Sequence, residues 1–331
     1  MSQPVTSEFT DFVTDKLDLV EEELARQAGA DTPFVTEAAN HIISAGGKRF
    51  RPLLVVLCSQ LARQDPDDAS TVSDQDLVRA AVVMELTHVA SLYHDDVMDE
   101  ATLRRGAESA NQRWGNSVAI MVGDYLFARA SEAVAALGTD FVRLQAQTFA
   151  RLVQGQIAET RGPQPGEDPL QHYLDVVADK TGSLIAAAAV FGGMVAGLPQ
   201  SQLAVLRSFG EEIGLVFQLA DDLLDITSTR TGKTPGIDLR EGVATLPVLL
   251  LRASSEPSDQ PVKDLLDADL SSDEALARAL EGLRSSHVMD EARADIRSRA
   301  DRARSELAAL PAGPARDSLA QLCDEVVSRS S

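Results

Sequence analysis

Two clusters of carboxylates carry the clearest chemistry in this chain. His94-Asp95-Asp96-Val97-Met98-Asp99 and Gln218-Leu219-Ala220-Asp221-Asp222-Leu223-Leu224-Asp225 each place aspartates at i, i+1 and i+4. On an α-helix, residues i and i+4 stack on one face with i+1 beside them. Asp95 with Asp99, and Asp221 with Asp225, therefore form pairs flanked by Asp96 and Asp222. Like charges gathered at a helix C-terminus repel each other and meet the negative end of the dipole. A single such cluster reads equally well as a solvated helix end. Two copies, each late on a long apolar helix, need a shared cause, and a hard cation supplies one. Mg²⁺ prefers carboxylate oxygens and is usually shared with substrate phosphates. A zinc site would want His or Cys at fixed spacing, and neither is present.

Basic residues are scarce, so their grouping is informative. The chain holds 51 acidic and 30 basic residues, a formal charge of −21. Lys48, Arg49 and Arg51 follow the Gly46-Gly47 turn, where the backbone can approach a ligand closely, and precede a helix N-terminus. The G-x-x-x-x-G-K-[ST] spacing of a phosphate loop is missing. Arg104-Arg105-Gly106 comes five residues after Asp99, Lys180-Thr181 sits at a helix junction, and Lys233 lies eight residues beyond Asp225. The plain alternative is a set of surface cations balancing an acidic exterior; it suits Arg79 better than these groups. Cations and carboxylates together predict two kinds of anion site, one through metal and one through direct contact. A reaction joining two diphosphate substrates would use both, one diphosphate leaving and the other anchoring.

The elements that must position these residues read as helices throughout. Apolar residues recur at helical spacing, and no alternating strand with a hairpin turn stands out. A first helix is expected from Ser7 to about Gln27, a second from Thr32-Pro33, and a third from Pro52 to about Arg63. Ser73 is expected to cap a long helix reaching Asp99. Further helices are expected near 117–137, 140–160, 169–179, 182–197, 201–227 and through 245–329, with loops at 64–71 and 229–242. The charge-free stretch 181–198 is mostly small residues and ends at Pro199, so it reads as a core helix, not a membrane span. No fixed-period repeat or linker divides residues 1–331, so one all-α domain is expected.

Composition narrows the partners. The strong negative charge disfavours nucleic acid and anionic membranes, and only 4% aromatic residues argues against stacking platforms. Cys58 and Cys323 stand alone, which argues against a disulfide framework and suits a cytoplasmic setting. The first residues, MSQPVTSEFTDF, lack the basic start and apolar run of a signal peptide.

Taken in order, these motifs resemble the trans-isoprenyl diphosphate synthase (polyprenyl synthetase) family over nearly the whole chain. The matching stretches are G-G-K-R-F-R-P at 46–52, E-L-T-H-V-A-S-L-Y-H-D-D-V-M-D at 85–99 and L-R-R-G at 103–106. They continue with G-D-Y-L at 123–126, K-T-G at 180–182, F-Q-L-A-D-D-L-L-D at 217–225 and G-K-T-P-G-I-D-L-R-E-G at 232–242. The resemblance implies an all-α bundle around a deep central cavity, a homodimer, and several Mg²⁺ ions per active site. It implies Mg-dependent head-to-tail condensation of isopentenyl diphosphate with an allylic diphosphate.

By position, Asp95, Asp96, Asp99, Asp221 and Asp225 match metal or metal-water ligands, with Asp222 behind them. Lys48, Arg51, His88 and Arg105 match the isopentenyl diphosphate site, and Arg104, Lys180 and Lys233 match contacts to the allylic diphosphate. Thr181 and Gln218, with Lys180, match residues facing the reacting carbons or their diphosphate. His94 is expected to brace the carboxylates. Val243 departs from the family, where Lys is common, and Arg240 is a candidate replacement contact. Two other readings compete. A class I terpene cyclase would lack the second aspartate triplet and want aromatic walls, and a non-catalytic partner subunit would tend to lose one triplet.

Product length is expected from the helix below Asp95. Short-chain members of the family tend to carry aromatic residues four or five positions before the first aspartate. Here those positions are Ser91 and Ala90, with Thr87 a turn further down, all small. The expected floor lies deeper, at Met84 or at residues such as Met121. A product above twenty carbons is expected, serving as a quinone side-chain precursor; a farnesyl or geranylgeranyl product is the alternative.

Overall fold

The computed structural model describes residues 7–62, 73–227 and 235–328. They are almost wholly helical: α1 (Ser7–Gln27), α2 (Pro33–Ser44), α3 (Phe50–Ser59), α4 (Asp74–Met98), α5 (Ala110–Trp114), α6 (Asn116–Ala135), α7 (Thr139–Arg161) and α8 (Pro169–Val177). The series continues with α9 (Ser183–Val195), α10 (Gln200–Thr227), α11 (Ile237–Arg240), α12 (Leu246–Ala253), α13 (Gln260–Leu266), α14 (Asp273–Arg284), α15 (Val288–Glu306) and α16 (Pro314–Ser328). Of the described residues, those within 1–150, 184–210 and 307–319 belong to one compact unit, and those within 151–183, 211–306 and 320–328 to a second.

Local chemistry explains the main boundaries. Ser73 accepts a hydrogen bond from the Asp76 amide and caps α4, with Asp74 and Asp76 complementing the dipole. Asp168 does the same for α8, where Pro169 opens the first turn and the Asp168 carboxylate takes the Leu170 amide at 3.0 Å. Helix α3 starts at Phe50, two residues before the expected Pro52. A proline is tolerated there because first-turn amides have no helical partner. Helix α3 ends at Ser59, with Gln60 as its C-cap, short of the expected end near Arg63, and the 64–71 loop lies outside the described residues.

Helix α4 is the axis of the first unit. Its buried residues point in every direction, from Leu77 and Ala80 through Leu86 and Val89 to Tyr93. Tyr93 donates from its hydroxyl to the Ala38 carbonyl at 2.5 Å, tying α4 to α2. Helix α9 is the charge-free stretch, and its residues from Leu184 to Phe191 are all nearly inaccessible. At about 1.5 Å per residue its 13 residues reach roughly 20 Å, short of a bilayer core. Among the described residues no helix is long and apolar enough to cross a membrane. Gly192 brings α9 against α3, since a Cβ there would lie 2.4 Å from the Val55 carbonyl.

Three local features depart from expectation. Residues 103–108 form a small antiparallel hairpin, β1 (Leu103–Arg104) and β2 (Ala107–Glu108), paired Leu103 with Glu108 and Arg104 with Ala107. Its turn puts Arg105 at φ 54° and Gly106 at φ 80°, a left-handed pair matching the twist of the strands. Strands of two residues are too short to leave an alternating pattern. Between α8 and α9, residues Ala178–Gly182 form a single π turn. Within the expected 229–242 loop, the described part contains the four-residue helix α11.

Candidate active site

The first aspartate cluster ends α4. Asp95 is partly accessible, Asp99 is exposed and caps the helix, and Asp96 is fully buried. One residue step turns a helix by about 100°, so Asp96 faces inward when Asp95 faces out. Arg104 of β1 covers it, its Nε and Nη2 donating to Asp96 Oδ1 at 2.6 and 2.5 Å. Burial raises the Asp96 pKa and Arg104 opposes the rise. The other oxygen, Asp96 Oδ2, is buried with no protein partner. A buried carboxylate oxygen left unsatisfied is costly, and a bound cation would satisfy it.

Four guanidinium groups gather beside this helix. Arg49 sits at φ 45° at the entry to α3, where its side chain donates to both oxygens of Glu21, to Glu85 at 3.2 Å, and to the carbonyls of Ile43 and Gly46. That role is architectural, and it separates Arg49 from its neighbours. Arg51 is buried, its Nε has no partner, and withdrawal from water pulls its pKa down to about 10. Arg105 donates to the Ile42 carbonyl at 3.0 Å and to that of Gly46, and lies 3.7 Å from Glu85. Burial and then Arg51, Arg105, Arg104 and Arg49 push His88 well below its ordinary pKa, so it is a neutral imidazole. Thus Arg51, His88 and Arg105 surround one positive region, held by the buried acid Glu85. Glu85 carries no signal of this role in the sequence, because its contacts are to Arg49 and Arg105, far away in the chain.

The product-length positions are buried on α4. Ala90 is fully buried, Ser91 donates to the His88 carbonyl at 2.8 Å, and Thr87 donates to the Val83 carbonyl at 2.7 Å. Gln145 of α7 donates to Thr87 Oγ1 at 3.3 Å, adding a polar group that no sequence motif marks. Met84 is buried as expected of a floor residue, but Met121 is 61% exposed on α6 and forms no floor in this chain. His94 also differs from expectation. Its Nε2 lies 3.1 Å from the Ile120 carbonyl and 3.3 Å from Asp124, so it braces α4 against α6 and not against the carboxylates.

The second unit holds a connected polar chain. Thr181 donates from Oγ1 to Gln218 Oε1 at 3.2 Å, and Gln218 Nε2 donates to Asp222 Oδ1 at 2.8 Å. Tyr173 of α8 donates to the other Asp222 oxygen. Asp222 is buried, and burial drives its pKa up to about 6 despite these two donors; Asp221 and Asp225 add to the rise. With both oxygens engaged, Asp222 lies behind Asp221 and Asp225, which are partly accessible. Asp225 Oδ2 accepts the Asp238 amide at 3.3 Å. Asp238 is itself raised to about 7, by burial first and then by Asp225 and Asp222. Tyr173 and Asp238 are further site residues that carried no motif signal of their own.

Lys180, in the π turn, reaches Glu159 at 2.5 Å. Gln156, one turn earlier on α7, is buried with its Oε1 unpartnered. Lys233 lies outside the described residues. Val243 is exposed, and Arg240 pairs with Asp273.

Among the described residues no three His, Cys, Asp or Glu side chains converge on one ion. Asp95 and Asp99 at the end of α4, and Asp221 and Asp225 late on α10, are partly accessible or exposed carboxylates of the kind Mg²⁺ prefers, one or two at a time with phosphate and water. The orphaned Asp96 oxygen fits the same reading.

Comparison with known proteins shows the family. The polyprenyl synthetase family profile matches residues 32–283. The nonaprenyl diphosphate synthase of Mycobacterium tuberculosis is 48% identical over 297 residues, covering 89% of this chain and 87% of that protein. The crystal structure of geranylgeranyl pyrophosphate synthase from Corynebacterium glutamicum, complexed with calcium and isoprenyl diphosphate, superposes with a TM-score of 0.85 at 40% identity, covering 98% of both chains. A decaprenyl diphosphate synthase from Rhodobacter capsulatus gives 0.85 at 30% identity, covering 97% of this chain and 98% of that one. A match of that extent, on a helical chain whose two aspartate triplets are both intact, makes this chain a member of the polyprenyl synthetase family.

Proposed function

We propose that the protein is a trans-polyprenyl diphosphate synthase that extends an allylic diphosphate with isopentenyl diphosphate to a product above twenty carbons. Family membership carries the reaction class. The small buried side chains of Thr87, Ala90 and Ser91 support the length, as does the likeness to a nonaprenyl synthase. The specific observation for a shorter product is the 40% identical geranylgeranyl synthase structure.

In the first unit Asp95, Asp96 and Asp99 would hold Mg²⁺, and in the second Asp221 and Asp225 would do so, with Asp222 behind that second pair. When bound, the metal neutralises charge on the departing diphosphate. Arg104, Lys180 and Lys233 bind that diphosphate directly, the forks and ammonium groups matching its oxygens. Lys48, Arg51, Arg105 and the neutral His88 anchor isopentenyl diphosphate. Loss of the allylic diphosphate leaves an allylic cation, the double bond of isopentenyl diphosphate attacks it, and the proton then lost goes to the departing diphosphate. Thr181 donates its hydroxyl hydrogen bond to Gln218, which leaves the hydroxyl lone pairs to face positive charge. The chain Thr181–Gln218–Asp222 fixes that polarity, ending on the carboxylate.

The protein acts as a homodimer, a reading supported by the exposed apolar residues Ile120 and Met121 on α6 and Val142 on α7; its lone cysteines Cys58 and Cys323 suit the cytoplasm. Incubation with an allylic diphosphate, labelled isopentenyl diphosphate and Mg²⁺ tests the proposal. Mg²⁺-dependent incorporation of label into a linear prenyl diphosphate is expected. A cyclised hydrocarbon, or no incorporation, would overturn it.

A further inference from the structure

The π turn Ala178–Gly182 is an uncommon piece of backbone, with a wider hydrogen-bonded ring than the α-helices on either side. Such turns persist where their surroundings over-determine them, and here the surroundings are specific. Helix α7 sets Arg151, Gly155 and Glu159 at successive intervals of four, so they form one stripe along its surface. All three meet the π turn. Arg151 donates through Nε to Asp179 Oδ1 at 2.9 Å, with Nη2 at the same distance, while Nη1 reaches Glu211 of α10 at 2.8 Å. Gly155 lets the turn approach: a Cβ there would sit 2.6 Å from the Lys180 amide nitrogen and 3.0 Å from the Asp179 carbonyl carbon. Glu159 takes the Lys180 ammonium.

We infer that Arg151 is a positioning residue for the allylic diphosphate: by clamping Asp179 to Glu211 across the π turn, it fixes where Lys180 and Thr181 present their polar atoms. The inference rests on the proposed role of Lys180 and Thr181 above. Arg151 touches neither substrate nor metal in this account; it acts through the turn. A guanidinium suits the task because its planar fork bonds two carboxylates in fixed directions. A lysine can serve only one of them at a time in a fixed direction.

The test is kinetic and structural on the full chain, comparing wild type with Arg151→Gln and Arg151→Lys. In Arg151→Gln, kcat/KM for the allylic substrate should fall roughly 10- to 100-fold, the scale of a small misplacement of reacting groups. The KM for isopentenyl diphosphate should stay within about twofold of wild type, since the Arg51, His88 and Arg105 contacts are untouched. Arg151→Lys should lie between the two. Hydrogen–deuterium exchange without ligand should quicken at residues 178–183 in Arg151→Gln and leave α4 unchanged. Equal losses on both substrates, or unchanged exchange at the turn, would overturn the inference while wild-type turnover upheld the functional reading. Absence of wild-type turnover would overturn both.

Discussion

Replacing Tyr173 by Phe removes a single oxygen and keeps the ring that packs behind the second aspartate cluster. In the wild type that hydroxyl donates to a buried Asp222 whose remaining donor is Gln218 at 2.8 Å. The Asp222 carboxyl is raised to about 6, with Tyr173 the larger of the two influences holding it down. A hydrogen bond to a charged group contributes roughly 1.5–3 kcal/mol. At about 1.4 kcal/mol per pH unit, its loss moves the pKa up by about one to two units. At pH 7 the wild-type group is then about ten-to-one ionised, and the variant is about half ionised or less. The assay is kcat/KM for the allylic substrate across pH 5.5–9, which reports groups of the free enzyme. The acid limb should move up by about one to two units and activity should recover at high pH. Linkage gives an independent reading. A carboxyl raised above its unfolded value stabilises the fold most at low pH, and that contribution is lost as pH rises through the folded pKa. Metal-free wild type should therefore lose stability between about pH 4 and 6, and the variant's loss should extend about one to two units higher. An acid limb that does not move, or a loss of activity uniform across pH, would refute the role given to Tyr173.

Four further predictions concern the aspartate clusters, the cations and the small residues of α4. Asp95→Asn or Asp221→Asn should reduce turnover by orders of magnitude with an unchanged circular dichroism spectrum; near-normal rates across Mg²⁺ concentrations would contradict a metal role. Lys48→Ala and Arg51→Ala should mainly raise the KM for isopentenyl diphosphate, whereas Arg104→Ala should weaken the allylic side; identical defects in steady-state kinetics would refute that division. Arg104→Ala should also lower the melting temperature, because it strips the cation from buried Asp96. The cost should fall below the roughly 3–5 kcal/mol of a fully buried pair, since Arg104 is partly exposed. Ala90→Phe and Ser91→Phe should shorten the products seen by chromatography, each placing a ring where the wild type has a small buried side chain.

The readable parts of this protein are those governed by local chemistry. Ser73 and Asp168 announce helix starts because capping needs only a side-chain oxygen and the next turn's amides. The aspartate triplets announce themselves because helical spacing decides which carboxylates share a face. What the sequence hides is pairing across distance. Nothing near Asp96 in the chain says that Arg104 will cover one oxygen and leave the other orphaned. The Arg49–Glu85 and Tyr173–Asp222 contacts join residues 36 and 49 positions apart. The π turn is invisible for a related reason: its cause is the packing of Gly155 and Arg151 from another helix, and its own residues carry no distinctive propensity. His94 shows the converse error, since sequence adjacency to the carboxylates suggested a partner that the helix twist places elsewhere.

The most direct test is the length of the product made by the wild-type chain. Purified protein should be given a short allylic diphosphate and excess labelled isopentenyl diphosphate with Mg²⁺, and the dephosphorylated products separated by reverse-phase chromatography against all-trans standards. A dominant species longer than twenty carbons is the predicted result. Products that stop at fifteen or twenty carbons would contradict the length read from the small side chains of Thr87, Ala90 and Ser91, and an absence of prenyl products would contradict the proposed function itself.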